Sequence, residues 1–492
     1  MATRFCGPQA GAHPTPPQTP SLVPSTAPAY PCAEAAEAGN HPAQPLAPAF
    51  GADGAGARLV LPCEDPRFWA YVEEVLRRPM NALTDLDTIL TAFASVDREP
   101  RVCTFFADIP GSAEAGAFDF DLFFETGVPL LLHVALEMPV LFAGIQVPIF
   151  KTYSSWAEPE TLGRRSFSLS RRQCACLLAH SFLGSLKRPA HVQPNDFRFT
   201  VSDLFIGTAR SPNSATTFLN YLTVLGRRGF APGALIFERR GFRRGPAPWK
   251  WEGSERPLCE VRIADGALED CAAEVQVEFA NAFVGGGVMT GDFAMEEILF
   301  LVKPELMVAM ALENRMADTE AICVSGAVQY SLVSGYGSSF KFAGDYSTEY
   351  DGRRPPPTVC AIDAVRGGGP AMTQTAQLRD LNKARLAFDG AIEIATGHWG
   401  CGAFGNNHDL MFLKQWLAAS EAGVRTLHYH DFDRRQSHNV VPLSRKLRHI
   451  TVGQLWAFLS VELTGDLEPA DVASFSVRVR DLVTGKWPLP AR

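Results

Sequence analysis

The sequence predicts a layered α/β fold, a central sheet flanked by helices, behind a helical domain and an unstructured tail. Three observations carry this expectation. Beyond residue 201, short segments with alternating apolar residues take turns with segments of helical period. Residues 61–200 place apolar residues at three- and four-residue spacing without that alternation. The first 60 residues carry neither pattern.

Length and composition agree. A chain of 492 residues is too long for one ordinary domain, so two folded domains and a tail are expected. Hydrophobic residues make up 46% and charged residues 20%, so a sizeable core can form and disorder must be local. A net charge of −8 argues against a sequence-independent DNA or RNA binder, which needs a broad basic surface. It leaves room for a small anionic ligand in a locally positive or amide-rich site. The 11 cysteines are scattered, form no CxxC pair, and come closest at Cys174 and Cys176 in an apolar segment. Free, mostly buried thiols in a reducing compartment are expected. No secretory apolar region follows Met1 and no run of 18 apolar residues occurs, so neither export nor a membrane span is expected.

The elements follow in order. Residues 1–60 read as a tail, with 11 of the 36 prolines in the first 50 residues. Such a segment cannot bury enough apolar surface to offset its ordering entropy. It lacks an acid before Glu34, as organelle transit peptides do, yet Arg4 is its sole basic residue before Arg58; a plain tail is the simpler reading. Residues 61–200 form the helical domain. Ser170 and Gln173 spell a capping box, followed by Cys174, Leu177, Leu178, Phe182 and Leu186 on one helical face. Gly127–Phe142 is nearly all apolar, a buried helix that Pro139 ends or kinks. Residues 201–480 form the α/β domain. Cys259, Val261 and Ile263 alternate with other residues, as do Val275, Val277 and Phe279. Further strands are expected at 321–325, 359–362, 392–395 and 426–429, with helices opening at Pro304 and spanning 374–389 and 408–421. A last helix near 452–463 closes the fold.

The chemistry concentrates in one segment. Glu278-Phe-Ala-Asn281-Ala-Phe-Val runs into Gly285, Gly286 and Gly287, and Met295-Glu296-Glu297 follows at the start of an apolar helical run. Glycines permit positive φ and close approach of a ligand such as a diphosphate to the amides. Taken alone, the triplet is more often a tight turn, and the adjacent glutamates solvated N-terminal charges. A second loop adds weight: Ile392-Glu-Ile-Ala-Thr396-Gly397-His398-Trp399-Gly400-Cys401-Gly402-Ala403-Phe404-Gly405 is again a strand entering a glycine loop before a helix. Two such loops at the ends of neighbouring strands cradle a diphosphate. A carboxylic acid beside them can protonate a departing sugar oxygen and its conjugate base can activate water. The residues thus point to a nucleotide-sugar hydrolase.

The same residues resemble the poly(ADP-ribose) glycohydrolase family. Gly285-Gly286-Gly287 and Met295-Glu296-Glu297 resemble its GGG-x(6–8)-QEE signature, and Glu278 to Gly287 its DFANxFVGGG. Ala395 to Gly405 resembles ATGNWGCGAFG, Gln329-Tyr-Ser with Ser334-Gly335-Tyr336 resembles QYS…TGY, and Leu169 to Ala179 resembles LSxxQxACLLA of the accessory domain. The motifs cover nearly all of residues 61–465 in the family's order. The resemblance implies a macrodomain-like central mixed sheet with an N-terminal helical accessory domain. It implies hydrolysis of ribose–ribose O-glycosidic bonds of poly(ADP-ribose), releasing ADP-ribose, without metal or other cofactor. Poly(ADP-ribose) and poly(ADP-ribosyl)ated proteins would be the partners, in the DNA damage response of nucleus or cytoplasm. Glu297 matches the acid that protonates the leaving oxygen and then activates water; Glu296 matches the acid that holds ribose hydroxyls, and Glu278 the third acid. Asn281 matches a ribose-binding asparagine and Tyr336 a tyrosine packed over the ligand. Leu268 and Glu269, aligned with a one-residue gap, match the pair that recognises adenine. Gly285, Gly286, Gly287, Met295, Gly400, Gly402, Ala403 and Phe404 complete the implied substrate contacts.

Departures and rivals bear on activity. Met295 stands where the family has glutamine, and its sulfur is a weak acceptor and no donor. Glu278 stands for an aspartate, and His398, Asn406 and Asn407 differ from the usual loop residues. Both key glutamates remain, so activity with altered affinity is expected. The rivals are an ADP-ribose reader without chemistry and a hydrolase of mono-ADP-ribose on protein side chains. Elsewhere, His428-Tyr429-His430-Asp431 could bind a metal but reads better as solvated or hydrogen-bonded histidines. The basic run Arg239-Arg240-Gly-Phe-Arg243-Arg244 could touch a polyanion but reads better as a solvated loop. The eight tryptophans read as core.

Overall fold

A computed structural model of the chain describes residues 57–484 apart from 81, 94–117, 153–161, 191, 194–196, 206–211, 243–246, 292, 347–354, 368–372, 432–438 and 463–469. The strands are β1 (Leu162–Ser170), β2 (Ala234–Phe242), β3 (Glu260–Ala264), β4 (Val275–Ala280), β5 (Glu320–Ser325), β6 (Ser331–Ser334), β7 (Lys341–Asp345), β8 (Thr358–Asp363), β9 (Glu393–Gly397) and β10 (Thr426–His430). Eight of them form one mixed sheet in the order β1-β2-β5-β8-β4-β9-β10-β3. The run β8-β4-β9-β10-β3 is parallel, and β1, β2 and β5 continue it antiparallel. Strands β6 and β7 make a separate ribbon.

Period-two side-chain alternation divides the core into two. Ile322 and Val324 of β5, with Val359 and Ala361 of β8, face one layer; Ala321 and Cys323, with Cys360 and Ile362, face the other. The first layer holds α1 (Pro66–Leu76), α2 (Leu83–Phe93), α3 (Val128–Leu136), α4 (Arg171–Leu183), α5 (Pro212–Arg228) and α6 (Met295–Val302). The second holds α7 (Gln374–Ala387), α8 (His408–Ala422), α9 (Val440–Leu447), α10 (Val452–Glu462) and α11 (Ala470–Thr484). The helical segment and the C-terminal helices therefore cover opposite faces of one sheet. Among the described residues no helix is long and apolar enough to cross a membrane.

The capping box forms as spelled: Ser170 Oγ accepts from the Gln173 N–H at 3.2 Å, and Gln173 Oε1 accepts from the Ser170 N–H at 2.8 Å. Gly127–Phe142 breaks at Glu137, and Pro139 sits in the first turn of a short helix, Met138–Leu141. The expected helix at Pro304 is a 3-10 turn, Pro304–Val308, running into Ala309–Leu312. Two differences have physical reasons. Within the segment read as helical, β1 forms the sheet's edge, with only Leu169 buried; its arginines and serines carry no alternating apolar signal. The helix at 452–463 is not the last, because α11 follows and buries Phe475, Val479 and Leu482 at helical spacing. Trp251, Trp399, Trp416 and Trp456 are buried and Trp69 and Trp249 half-buried; Trp156 and Trp487 lie outside the described residues.

Of the expected tail, residues 1–56 lie outside the described residues. Ala57–Val60 are held: Leu59 is wholly buried and donates its N–H to the Val147 carbonyl, and the Ala57 carbonyl accepts from Ile149. Deleting residues 1–56 should leave melting temperature and catalytic rate nearly unchanged. Deleting 1–60 also removes Leu59, and burial of such a side chain is worth about 2–5 kcal/mol. Thermal melts of the two truncations check this; equal melting temperatures would count against the boundary.

Candidate active site

Strands β4 and β9 are parallel neighbours, with Val275 opposite Ile394 and Gln276 opposite Ala395. Both glycine loops leave the same ends of adjacent strands, as the sequence required of a cradle. The chain after β4 turns through Gly285 (φ 90°) and Gly286 (φ 50°) before α6 begins at Met295. Positive φ accounts for glycine at both positions. Close approach does so again, since a Cβ on Gly286 would overlap the carboxylates of both Glu296 and Glu297.

Those carboxylates are not solvated helix-end charges. Each residue is only 5% exposed, and all four oxygens accept backbone N–H groups. Glu296 Oε2 accepts from Asn281 at 2.8 Å and Oε1 from Gly285 at 2.7 Å. Glu297 Oε1 accepts from Gly287 at 2.7 Å, and Oε2 from Ala294 at 3.0 Å, the reach of an N3 glutamate to its N-cap. The Gly286 N–H bonds the Phe283 carbonyl. In this first loop the glycine amides thus serve the acids and the turn rather than standing free for a diphosphate.

Glu278 lies on β4 beneath this pair, wholly buried, and neither of its oxygens has a hydrogen-bond partner among the described residues. Burial pushes its carboxyl well above the usual range, and the charges of Glu297 and Asp363 add to the rise; Glu296 stands close enough to oppose it. Burial likewise raises Glu296, followed by the charges of Glu278 and Glu297, against the pull of the Asn281 and Gly285 amides. Asp363 ends β8, opposite Ala280. Burial would raise it, but Lys383 and Arg379, both hydrogen-bonded to it, outweigh that and hold it below the usual range. Sequence reasoning missed this fourth acid, though a strand ending in Ile362-Asp363 beside β4 was its signal.

The remaining candidates gather around this centre. Asn281 Oδ1 accepts from the Phe283 N–H, fixing the turn. Tyr336 is 53% exposed; burial raises its phenol, which the Met295 backbone lowers and the Glu297 charge raises, placing it over the start of α6. Leu268 is buried and Glu269 half-buried on a 3-10 turn, Leu268–Asp270, pinned from below by Gln276, whose Nε2 donates to the carbonyls of Leu268, Glu269 and Cys271. Gln276 Oε1 accepts from the buried Lys303 at 2.7 Å. Burial pushes Lys303 down to about 8, with Glu269 and Asp270 pulling it back. Met295, like Cys271 and Phe279, packs against the small buried cluster of Leu268, Ala273 and Ala395, so the thioether extends an apolar floor beside that turn.

The second loop differs in kind. Gly400 has φ 70°, and a Cβ there would meet Ala364. Asn406 Nδ2 ties the Gly400 carbonyl to that of Val365. The consecutive N–H groups of Gly402, Ala403 and Phe404 have no hydrogen-bond partner among the described residues, and Gly402 and Ala403 are exposed. Successive free amides of this sort form an anion nest. His398, ahead of them, pairs with Asp431 at 3.0 Å.

The other candidates stay apart. His428 faces Glu393, while His430 Nδ1 and the Gly266 carbonyl are 3.1 Å apart. Among the described residues no group of three or more His, Cys, Asp or Glu could hold a metal. Arg239 is buried between Glu313 and Glu320, and Arg240 pairs with Glu238; Arg243 and Arg244 lie outside the described residues.

Comparison with known proteins fits this geometry. Residues 119–239 match the family model described as the poly(ADP-ribose) glycohydrolase helical domain, and residues 248–439 the one described as its macro domain fold. The chain is 33% identical over 406 residues to a probable poly(ADP-ribose) glycohydrolase 2 of Arabidopsis thaliana, covering 68% of this chain and 77% of the relative. It is 26% identical over 459 residues to poly(ADP-ribose) glycohydrolase 1 of the same plant, covering 72% and 82%. To poly(ADP-ribose) glycohydrolase 1 of Caenorhabditis elegans it is 32% identical over 328 residues, covering 60% of this chain and 40% of the relative.

Proposed function

The chain belongs to the poly(ADP-ribose) glycohydrolase family, and from that premise we propose that it hydrolyses ribose–ribose O-glycosidic bonds of poly(ADP-ribose) and releases ADP-ribose, with Glu297 as general acid and base. One observation carries the mechanism. Backbone amides of the glycine loop and of Ala294 grip the Glu296 and Glu297 carboxylates, so both acids are held in fixed positions before substrate arrives. Each carboxylate oxygen keeps a second lone-pair side for substrate.

The acids also divide the labour. Burial raises both Glu278 and Glu296, and neighbouring carboxylates add to each rise, Glu297 and Asp363 for Glu278, Glu278 and Glu297 for Glu296, so the cluster holds a proton shared among its members rather than full charge on each. Glu297 passes a proton to the departing ribose oxygen as the C1–O bond breaks. Negative charge left on the cluster stabilises the oxocarbenium-like carbon. Water then attacks that carbon and gives its proton to Glu297, restoring the acid. Glu296 holds the ribose hydroxyls, and Leu268 and Glu269 present the pinned turn to adenine. The free amides at Gly402, Ala403 and Phe404 take the diphosphate. Free thiols at eight described cysteines support work in a reducing compartment, nucleus or cytoplasm.

Release of ADP-ribose from labelled polymer tests the reading, with Glu297→Gln as the inactive control. A reader would bind polymer and release nothing; a mono-ADP-ribose hydrolase would prefer singly modified protein. No metal enters the scheme: backbone amides, not a cation, hold the Glu296 and Glu297 carboxylates, and the described residues offer no cluster of three or more His, Cys, Asp or Glu to bind one. EDTA should leave the rate within about twofold, well inside the effect of losing one catalytic group. Abolition by chelator with rescue by a divalent cation would overturn that part.

A further inference from the structure

We propose that Arg366 is the cation that binds the substrate's diphosphate; this rests on the glycohydrolase reading above. The site is rich in acids, with Glu278, Glu296, Glu297 and Asp363 gathered there, and a diphosphate brings two more negative charges. The cations buried nearby are already engaged: Lys383 and Arg379 hold Asp363, Lys414 holds Asp380, and Lys303 holds Gln276. Arg366 is different. It lies in the loop after β8, is exposed, and has no carboxylate partner among the described residues.

Its placement is fixed by the loop that carries the anion nest. The Gly367 N–H bonds the Phe404 carbonyl at 2.6 Å, and Asn406 bonds the Val365 carbonyl at 2.7 Å. Arg366 is thus bracketed on both sides by residues tied to the second glycine loop. The backbones approach so closely at Gly367 that a Cβ there would lie 2.5 Å from the Gly405 carbonyl oxygen. The Arg366 guanidinium stacks over the Phe404 ring, 5.0 Å from its centroid. Phe404 contributes one of the three free amides, so its ring holds the guanidinium beside the nest. Stacking leaves the edge donors of the guanidinium free, and that edge matches phosphate oxygens two at a time. Amides supply the shape of the anion site, and Arg366 supplies its charge.

The test is calorimetric affinity for ADP-ribose and for adenosine, with polymer KM measured across a salt series. The proteins are wild type, Arg366→Ala, Arg366→Lys, and Arg67→Ala as a charge control on exposed α1. Arg366→Ala should weaken ADP-ribose about tenfold, the scale of one charge-assisted contact at a partly exposed site. Adenosine, which lacks the diphosphate, should bind as before. Arg366→Lys should fall between, because a point charge neither stacks nor forks. The slope of log KM against log salt for polymer should drop by about one in Arg366→Ala. Equal ADP-ribose affinity and salt slope in wild type and Arg366→Ala would overturn the proposal alone, as would equal losses for adenosine and ADP-ribose. A wild type that neither binds ADP-ribose nor cuts polymer would overturn the functional reading and this inference with it. Should Arg366→Ala melt early, Arg366→Lys at wild-type melting temperature decides.

Discussion

Glutamine in place of Glu297 should lower turnover of poly(ADP-ribose) by at least about 10²-fold and as much as about 10⁴-fold, the range of general acid–base contributions. The substitution keeps the size of the side chain and one acceptor oxygen. The glutamine carbonyl can still take the Gly287 or the Ala294 N–H, so the loop should persist. What disappears is the group that gives up and recovers a proton. ADP-ribose affinity should therefore survive. Glu296→Gln should behave differently, with a serious loss of turnover accompanied by weaker ADP-ribose binding. In either variant the new NH2 faces one backbone donor that the carboxylate accepted, Gly287 or Ala294 at 297 and Asn281 or Gly285 at 296, so the difference rests on Glu296 being the side chain that holds the ribose hydroxyls. The double variant should lose less than the product of the single losses, because both side chains act on one transition state. Turnover and calorimetric affinity for the three variants decide the matter. Near-normal turnover in correctly folded Glu297→Gln would refute the assignment outright.

Alanine at Gly286 should abolish most activity without touching a reacting group. Its Cβ would fall within the carboxylates of Glu296 and Glu297, and its φ of 50° is uncommon for an L-residue. The acids or the turn must shift, and a displacement of about 1 Å can cost about 10²-fold. Gly402→Ala is the matched comparison. A Cβ at Gly402 meets nothing within 4 Å, so the fold should tolerate it. A rate assay with melting curves for both variants checks the contrast. Equal rates would show that the tight contact at Gly286 does not set the position of the acids.

Much of this was legible in the sequence, and the exceptions share a cause. The six strands read beyond residue 201 are present within one or two residues, because buried strands advertise themselves by alternation. The pairing of the two glycine loops followed from their strand–loop–helix pattern and holds at the register of Gln276 and Ala395. Strands β1 and β2 went unread: β1 is an edge rich in arginine and serine, and β2 masks its alternation by exposing Ile236 and burying Arg239. The work of the first glycine loop was also hidden. Glycine identity says that something comes close, but not that the visitor is the protein's own pair of glutamates. Asp363 and Arg366 join the site only through tertiary contacts of β8 and its loop, far along the chain from either motif.

The β1–β2 ribbon limits how this protein can be cut. The boundary between its two family segments falls between residues 239 and 248, which suggests a natural place to sever a catalytic fragment. The hydrogen bonds do not respect that line. β2 pairs with β5 from Ile236 to Gly241, so a fragment beginning at Arg240 would bare most of the β5 edge. Raw edges of this kind recruit other chains. It would also lose Arg239, stranding Glu313 and Glu320 in the interior without their counter-charge, a defect worth about 3–5 kcal/mol for a broken buried pair. The two segments are separable as text and inseparable as matter: the helical part supplies the selvedge that keeps the catalytic sheet from fraying into its neighbours.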